Sequence, residues 1–152
     1  MKKIIFLFIL AGISFQSFSQ PCEEREARLL SVTGSFSAAT FYNTYAVIGS
    51  ISDGYMKDAY KEEMVEDLMT AQKSMADNLV KVLNGLLRDS ILKDRSDQDY
   101  MVTSISILEG LKKQAQLLQD YVTTKSQRKQ EAYEDQRKKN WSAISKLMGI
   151  KE

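Results

Sequence analysis

Proline is absent from the 131 residues that follow Pro21, and this absence is the strongest constraint on the fold. Proline interrupts helices and is common at the turns of loop-rich β folds, so its absence favours long helices. The apolar residues agree, because they recur every three or four positions, as they do on one face of a helix. Two runs keep this spacing without a break: Val65, Leu68, Gln72, Met75, Leu79, Val82 and Leu86, and then Met101, Ser104, Leu108, Leu111, Ala115, Leu118 and Val122.

Two helices that each carry one apolar stripe bury it by packing lengthwise against each other. We therefore predict an all-α fold, an antiparallel up-and-down four-helix bundle with coiled-coil-like packing, formed by a single domain of residues 20–152. The predicted helices are residues 28–57, residues 61–92, a third that starts near Asp97, and a fourth that follows a break after Val122. An alternative fold has three long helices with the last one continuous, because no Gly or Pro lies between Leu111 and Leu147.

The ends of the predicted helices are less well marked than their faces. Asp53-Gly54 is a turn signal, but Phe41, Tyr45, Ile48, Ser52, Tyr55 and Ala59 keep a helical spacing through it. We therefore place the first turn near Asp58–Lys61, with Asp53-Gly54 as the alternative. Ser96 with Asp99, and Thr124 with Gln127, have the spacing of capping boxes at the starts of the third and fourth helices. A short stripe of Trp141, Ile144, Leu147 and Met148 ends at Gly149, which is predicted to cap the C-terminus of the last helix.

Residues 1–19 have the pattern of a secretory signal peptide. Lys2 and Lys3 precede an apolar run, and small residues at Ser17 and Ser19 suit a signal peptidase, so we predict cleavage after Ser19. Lipid anchoring at Cys22 is not expected, because Pro21 occupies the position where lipoprotein processing requires a small residue. No later apolar run is long enough to cross a membrane. The sequence thus predicts an exported protein, periplasmic or secreted.

Composition excludes several classes of chemistry. The chain has no histidine and one cysteine, which removes the commonest general base and the commonest ligands of zinc. No catalytic residue, metal site or cofactor is therefore predicted, and we expect the protein not to be an enzyme. Basic and acidic residues number 21 and 20, so bulk charge does not favour nucleic-acid binding.

Two groups of residues are candidate contact sites. Aromatic rings concentrate between residues 42 and 60, and with Trp141 they could line a ligand pocket or a partner surface. This group comprises Tyr42, Asn43, Tyr45, Tyr55, Tyr60 and Trp141. Residues 125–139 carry six basic and three acidic residues, whereas residues 53–77 carry seven acidic and three basic ones, so the first segment could dock an acidic partner or neutralise the second. Its basic residues are Lys125, Arg128, Lys129, Arg137, Lys138 and Lys139.

The sequence therefore predicts a non-enzymatic binding module that contacts another protein or a second copy of itself through a helical face. The alternative is a bundle that binds or senses a small molecule near the aromatic residues 42–60. An exposed apolar patch would favour the first function. An enclosed pocket lined by Tyr45, Tyr55 and Trp141 would favour the second.

Overall fold

The computed structural model describes residues 22–90 and 92–150, with side chains described from Glu24 onward. This part of the chain contains no strand and forms four helices: α1 (Cys22–Met56), α2 (Glu62–Arg88), α3 (Arg95–Thr124) and α4 (Gln127–Met148). The all-α four-helix bundle predicted from the sequence is confirmed. The predicted signal peptide and its cleavage site lie outside the described residues. Contacts divide the chain at Ser35, and the bundle is described below from Phe36 onward.

Helix α1 continues through the Asp53-Gly54 turn signal and ends at Met56. Gly54 is needed there because the ring of Tyr60 packs so closely against it that a Cβ atom would clash. The chain reverses at Asp58, whose φ is 57°, and the amide of Ala59 donates a 2.9 Å hydrogen bond to the Gly54 carbonyl. The turn near Asp58–Lys61 is therefore confirmed. Ala59, which the sequence placed on the helical stripe, belongs to this turn, and α1 begins at Cys22 rather than near residue 28.

Helices α2 and α3 run antiparallel, and a ladder of polar side chains joins them. Lys73 donates to Gln116 Oε1 at 2.7 Å, and Gln119 Nε2 donates to the Glu66 carbonyl at 2.8 Å. Asp77 lies one turn after Lys73 on α2, and its carboxylate oxygen is 2.5 Å from Lys112 Nζ of α3. Residue numbers rise along α2 as they fall along α3, which confirms the predicted antiparallel hairpin.

The connection from α2 to α3 differs in detail from the prediction. Helix α2 ends at Arg88, four residues before the predicted end, and α3 begins at Arg95 with Asp94 as its N-cap. The predicted capping box of Ser96 and Asp99 is wrong, because α3 has already started before Ser96. No side chain caps the first turn of α3, but Gln98 Nε2 donates to the Leu92 carbonyl at 2.9 Å.

A break separates α3 from α4, so the alternative of one continuous last helix is wrong. Lys125 adopts a left-handed conformation, with φ 54°, and its amide donates to the Tyr121 carbonyl at 2.7 Å. Ser126 is the N-cap of α4, without a side-chain cap. The predicted Thr124 and Gln127 capping box does not form, because the Thr124 hydroxyl donates back to the Asp120 carbonyl. Gly149, with φ 67°, caps α4 as predicted.

The core lies between the inner faces of the four helices. All seven residues of the predicted α3 stripe are buried, from Met101 to Val122. Helix α1 contributes Phe41, Ile48 and Ile51, whereas Met148, predicted on the α4 stripe, is exposed. The remaining fully or nearly buried apolar residues are Val65, Met69 and Ala76 of α2, Ile107 of α3, and Tyr133 and Ile144 of α4.

The predicted α2 stripe is only half correct. Val65 is buried, but the other two buried apolar residues of α2 are Met69 and Ala76, each one position after a predicted stripe residue. Met75 and Val82, which the sequence placed in the core, are exposed. The helix is therefore rotated so that its wide apolar surface is only partly covered by the bundle.

Candidate interaction surfaces

The aromatic residues predicted to form one site lie in two clusters. In the first, the ring of Trp141 on α4 lies 5.7 Å from the ring of Tyr45 and 6.4 Å from that of Tyr42, both on α1. Asn43 is exposed beside them in sequence. These centroid distances are typical of rings that pack against each other. The first cluster thus holds α1 against α4 at the surface.

The second cluster lies at the end of the bundle where α1 turns into α2. The rings of Tyr55 and Tyr121 meet edge to face at 6.1 Å, and the ring of Tyr60 packs on Gly54. Tyr45 and Tyr55 are ten residues apart on one helix, which separates the clusters by about 15 Å along its axis. The six predicted residues are therefore not brought together around one enclosed pocket in the described part of the chain.

Half of the basic residues of the 125–139 segment bind partners within the bundle. Lys125 donates to the Tyr55 hydroxyl and lies 2.9 Å from Glu62, and these two hydrogen bonds raise the pKa of its ammonium group. Lys129 lies 2.7 Å from Asp120. Arg137 is half-buried between Asp53 and Glu134, at 3.8 Å and 3.7 Å.

The other three basic residues are exposed and form no ion pair within residues 24–150: Arg128, Lys138 and Lys139. The pairs of Lys125 with Glu62 and of Arg137 with Asp53 join the basic segment to the acidic segment of residues 53–77. Part of the predicted basic surface is thus neutralised inside the molecule, and three cations remain available to solvent.

One cleft adjoins this segment, where α3 passes into α4. Its volume is about 520 Å³, it opens to solvent, and it is lined by Leu117, Thr124, Ser126, Arg128, Lys129 and Ala132. Lys129 is engaged by Asp120, which leaves Arg128 as the unpaired charge at the rim. None of the aromatic residues predicted to line a pocket contributes to this cleft.

The sequence did not indicate a buried group of amides between α3 and α4. Asn140 Nδ2 donates to the Gly110 carbonyl at 2.9 Å and to Gln114 Oε1 at 2.8 Å, and Gln136 Nε2 donates to Asn140 Oδ1 at 2.9 Å. A Cβ atom at Gly110 would clash with Asn140 Oδ1. This glycine therefore lets the amide of Asn140 approach the backbone of α3.

Tyr133 extends this polar group. Its hydroxyl lies among the side chains of Ser52 and Gln114 but makes no hydrogen bond of standard geometry within the described residues. Burial raises the pKa of Tyr133, an effect that those two neighbours partly offset. The Gln114 amide nitrogen is buried and unpaired as well. The only signal in the sequence was the 3-4-4 spacing of Tyr133, Gln136, Asn140 and Ile144 along an otherwise charged helix.

The largest departure from the prediction is the outer face of α2. We call it the α2 seam and define it by six residues: Met64, Leu68, Ala71, Met75, Asn78 and Val82. The exposed fractions of Met64, Met75 and Val82 are 49%, 37% and 61%. Leu68 is half-buried, and Ala71 and Asn78 are exposed. Five of the six residues are apolar, so the seam is a mainly apolar strip along most of the helix, interrupted at Asn78.

Exposed apolar side chains also occur near the start of α1. Leu29 and Val32 lie in the unit that ends at Ser35, where the ion pair of Arg28 with Glu24 joins successive turns. Phe36, the first residue of the second unit, is exposed as well.

No helix in the described part of the chain is long and apolar enough to cross a membrane. Residues 24–90 and 92–150 bring together no group of three histidine, cysteine or acidic side chains able to hold a metal ion. Comparison with known proteins finds no match: no protein-family model, curated protein or solved structure shows significant similarity to the chain.

Proposed function

We propose that the protein is an exported, non-enzymatic binding module that recognises another protein chain through the α2 seam. One observation carries this proposal: residues with the spacing and composition of a core stripe are left exposed on α2. Exposing Met64, Met75 and Val82 to water is unfavourable, at roughly 25 cal/mol for each Å² of apolar surface. A partner that covers the seam recovers this free energy, and contiguous apolar patches commonly mark such contact sites.

The flanks of the seam support a protein partner rather than a lipid surface. Asp67 and Lys81 are exposed on one flank of the seam, Asp67 near one end and Lys81 near the other. A narrow apolar strip with charges of both signs beside it matches the apolar face of another helix. A membrane-binding helix usually has a predominantly basic polar face instead.

The small-molecule alternative has less support. It was based on one site that contains Tyr45, Tyr55 and Trp141, and these residues are divided between two clusters. The described cleft near Arg128 is lined by other residues and is open to solvent. An activity based on carboxylates also has little support, because the lowered pKa of Asp120 results mainly from its hydrogen bonds with Lys129 and Gln116 in a structural ion pair.

The proposal is tested by using the processed chain as bait in the envelope fraction of its native cells. The double variant M75E/V82E places two charges on the seam. The control N84E/S142E places the same charges at exposed positions away from it. We expect a protein retained by the wild type and by the control to be lost from the seam variant. Retention of small molecules alone, with no protein that depends on the seam, would contradict the proposal.

Export is tested separately by expressing the full-length chain in its native cells. We expect the mature protein to begin at Gln20 and to occur outside the cytoplasm, without a lipid on Cys22. Intact-mass measurement of the purified protein checks all these points except location, which fractionation gives. A protein that retains residues 1–19 in the cytoplasm would contradict the proposed export.

A further inference from the structure

We infer that the chain bound at the α2 seam is a second copy of this protein, packed antiparallel about a two-fold axis near Lys73 and Ser74. The inference rests on the proposed function, since it names the occupant of the same surface. The inferred dimer follows from the order of the residues along α2, because two antiparallel copies of the seam place complementary residues opposite each other.

The seam has the heptad spacing of a coiled-coil face. Leu68, Met75 and Val82 follow one another at intervals of seven residues, and so do Met64, Ala71 and Asn78. Alternating intervals of four and three between the two sets keep all six residues on one side of a helix. This side is distinct from the line of Val65, Met69 and Ala76, which faces the core. Helix α2 therefore has one face for the bundle and a second face for a partner helix.

An antiparallel pair brings the apolar residues of this face into register. With the axis near Lys73 and Ser74, Met64 of one copy packs against Val82 of the other, and Ala71 packs against Met75. Leu68 packs against Asn78, the single polar residue of the seam. Met64 and Val82 are 18 residues apart, so the contact extends over about 27 Å of helix. The small side chain of Ala71 next to the axis allows the helices to approach closely.

The same register pairs opposite charges. Asp67 and Lys81 are exposed, and neither forms an ion pair within residues 24–150. They are 14 residues apart on the same flank, which places them about 21 Å apart within one chain. In the antiparallel pair, Asp67 of each copy faces Lys81 of the other, and the two-fold axis creates this pair twice. Two such charges, without an ion pair among residues 24–90 and 92–150 and complementary across the axis, favour self-association over an unrelated partner.

A single-helix interface of this length is small, at the low end of the range for specific protein complexes. We expect a reversible dimer with a dissociation constant of about 1–100 µM, because the cost of association offsets most of the free energy that so small an apolar interface recovers. The full processed chain, with a reducing agent present to exclude disulfides of Cys22, is measured by sedimentation equilibrium from about 1 to 300 µM. The expected result is a monomer–dimer equilibrium. A chain that stays monomeric at the highest concentration overturns the inference.

Charge exchange at Asp67 and Lys81 tests the register. D67K creates two like-charge contacts across the axis, and K81D does the same with the opposite sign, so each weakens the dimer by about tenfold. The double variant D67K/K81D restores both pairs and the wild-type dissociation constant. The arrangement is overturned if neither single variant changes the dissociation constant of the dimer. It is also overturned if the double variant dimerises more weakly than both single variants. Circular dichroism of each variant verifies that the helices are retained.

The seam itself is tested with V82E and its control N84E. We expect V82E to weaken the dimer at least a hundredfold, because each interface would bury two unpaired carboxylates, whereas N84E leaves the dissociation constant unchanged. Failure of this inference is distinguishable from failure of the proposed function. If the chain is monomeric and M75E/V82E still abolishes capture of another protein, the binding module stands and the second copy is wrong.

Discussion

Helices α2 and α3 have apolar residues at the same alternating spacing of three and four, but the two stripes are not buried to the same extent in the bundle. Every stripe residue of α3 is buried, whereas Met75 and Val82 of α2 are exposed. The difference follows from position. Helix α3 contacts α2 through Lys112, α4 through Gly110 and α1 through Val122. The described polar contacts of α2 with other helices are made with α3 and, at Glu62, with Lys125.

An apolar stripe therefore predicts a helix face that is buried on packing. It does not predict whether the same chain or another chain covers that face. A helix with neighbours on several sides buries its stripe within the fold. A helix whose apolar surface extends beyond its contacts in the bundle retains an uncovered face, which another chain can cover.

The largest effect is expected from a cavity in the α3 stripe. Leu111 is fully buried, so L111A removes buried methyl groups and leaves a void. We expect the free energy of unfolding in urea to fall by about 2–5 kcal/mol. A loss below about 0.5 kcal/mol would mean that α3 is no better covered than α2.

The buried amides are the next test, because they join α3 to α4. N140A removes the donor to Gly110 and Gln114 and leaves these groups buried without it. We expect a loss of about 1–3 kcal/mol in the same urea experiment. S142A, at an exposed position on the same helix, is the control and should have almost no effect. Equal effects of the two changes would argue against a structural role for the amides.

The α2 seam should tolerate the same kind of truncation. V82A removes methyl groups from an exposed side chain, and we expect the unfolding free energy of the monomer to change by about 0.5 kcal/mol or less. The measurement must be made at a protein concentration far below the dissociation constant of the dimer, so that dimerisation does not contribute. A loss near that of L111A would place Val82 in a core.

The smallest effect is expected at the ion pair of Asp120 with Lys129. The hydrogen bond from Lys129, and then that from Gln116, holds the pKa of Asp120 below its usual value. The resulting stabilisation is present above the pKa of the unfolded chain, near 4, and is lost as the pH falls through the lower pKa of the folded protein. D120N should therefore reduce the stability at pH 7 slightly and flatten its acid dependence. An unchanged pH profile would contradict this role, and added salt should reduce the difference between the two proteins.

The sequence predicted the helices better than their ends. All seven residues of the stripe that apolar spacing predicted on α3 are buried, because burial on a central helix follows directly from periodicity. The predicted start near Asp97, which was based on the capping box, is two residues late. The capping boxes predicted at Ser96 and Thr124 do not form. Helices α3 and α4 begin there without a hydrogen bond from a capping side chain. Local sequence cannot distinguish a threonine that caps the next helix from one that bonds back to Asp120.

The candidate sites were less predictable for a different reason. Tyr45 and Tyr55 are near in sequence but point to separate clusters, and the contacts of Trp141 depend on how α4 packs on α1. The buried amides depend on Gly110, which lies 30 residues before Asn140. The α2 seam was visible as an apolar pattern, but its exposure depends on which side of the helix faces the core, and the pattern does not contain this information.

The most direct test of the account compares two cysteines on α2 in a C22S background. V82C lies on the seam, and A76C lies on the line that faces the core, where Ala76 is buried. At a protein concentration far below the dissociation constant of the dimer, we expect a maleimide to modify V82C at nearly the rate of an unfolded chain and A76C at least a hundredfold more slowly. Equal protection of the two thiols at this concentration would show that the single chain covers its own seam, and would contradict a seam that is left free for a second chain.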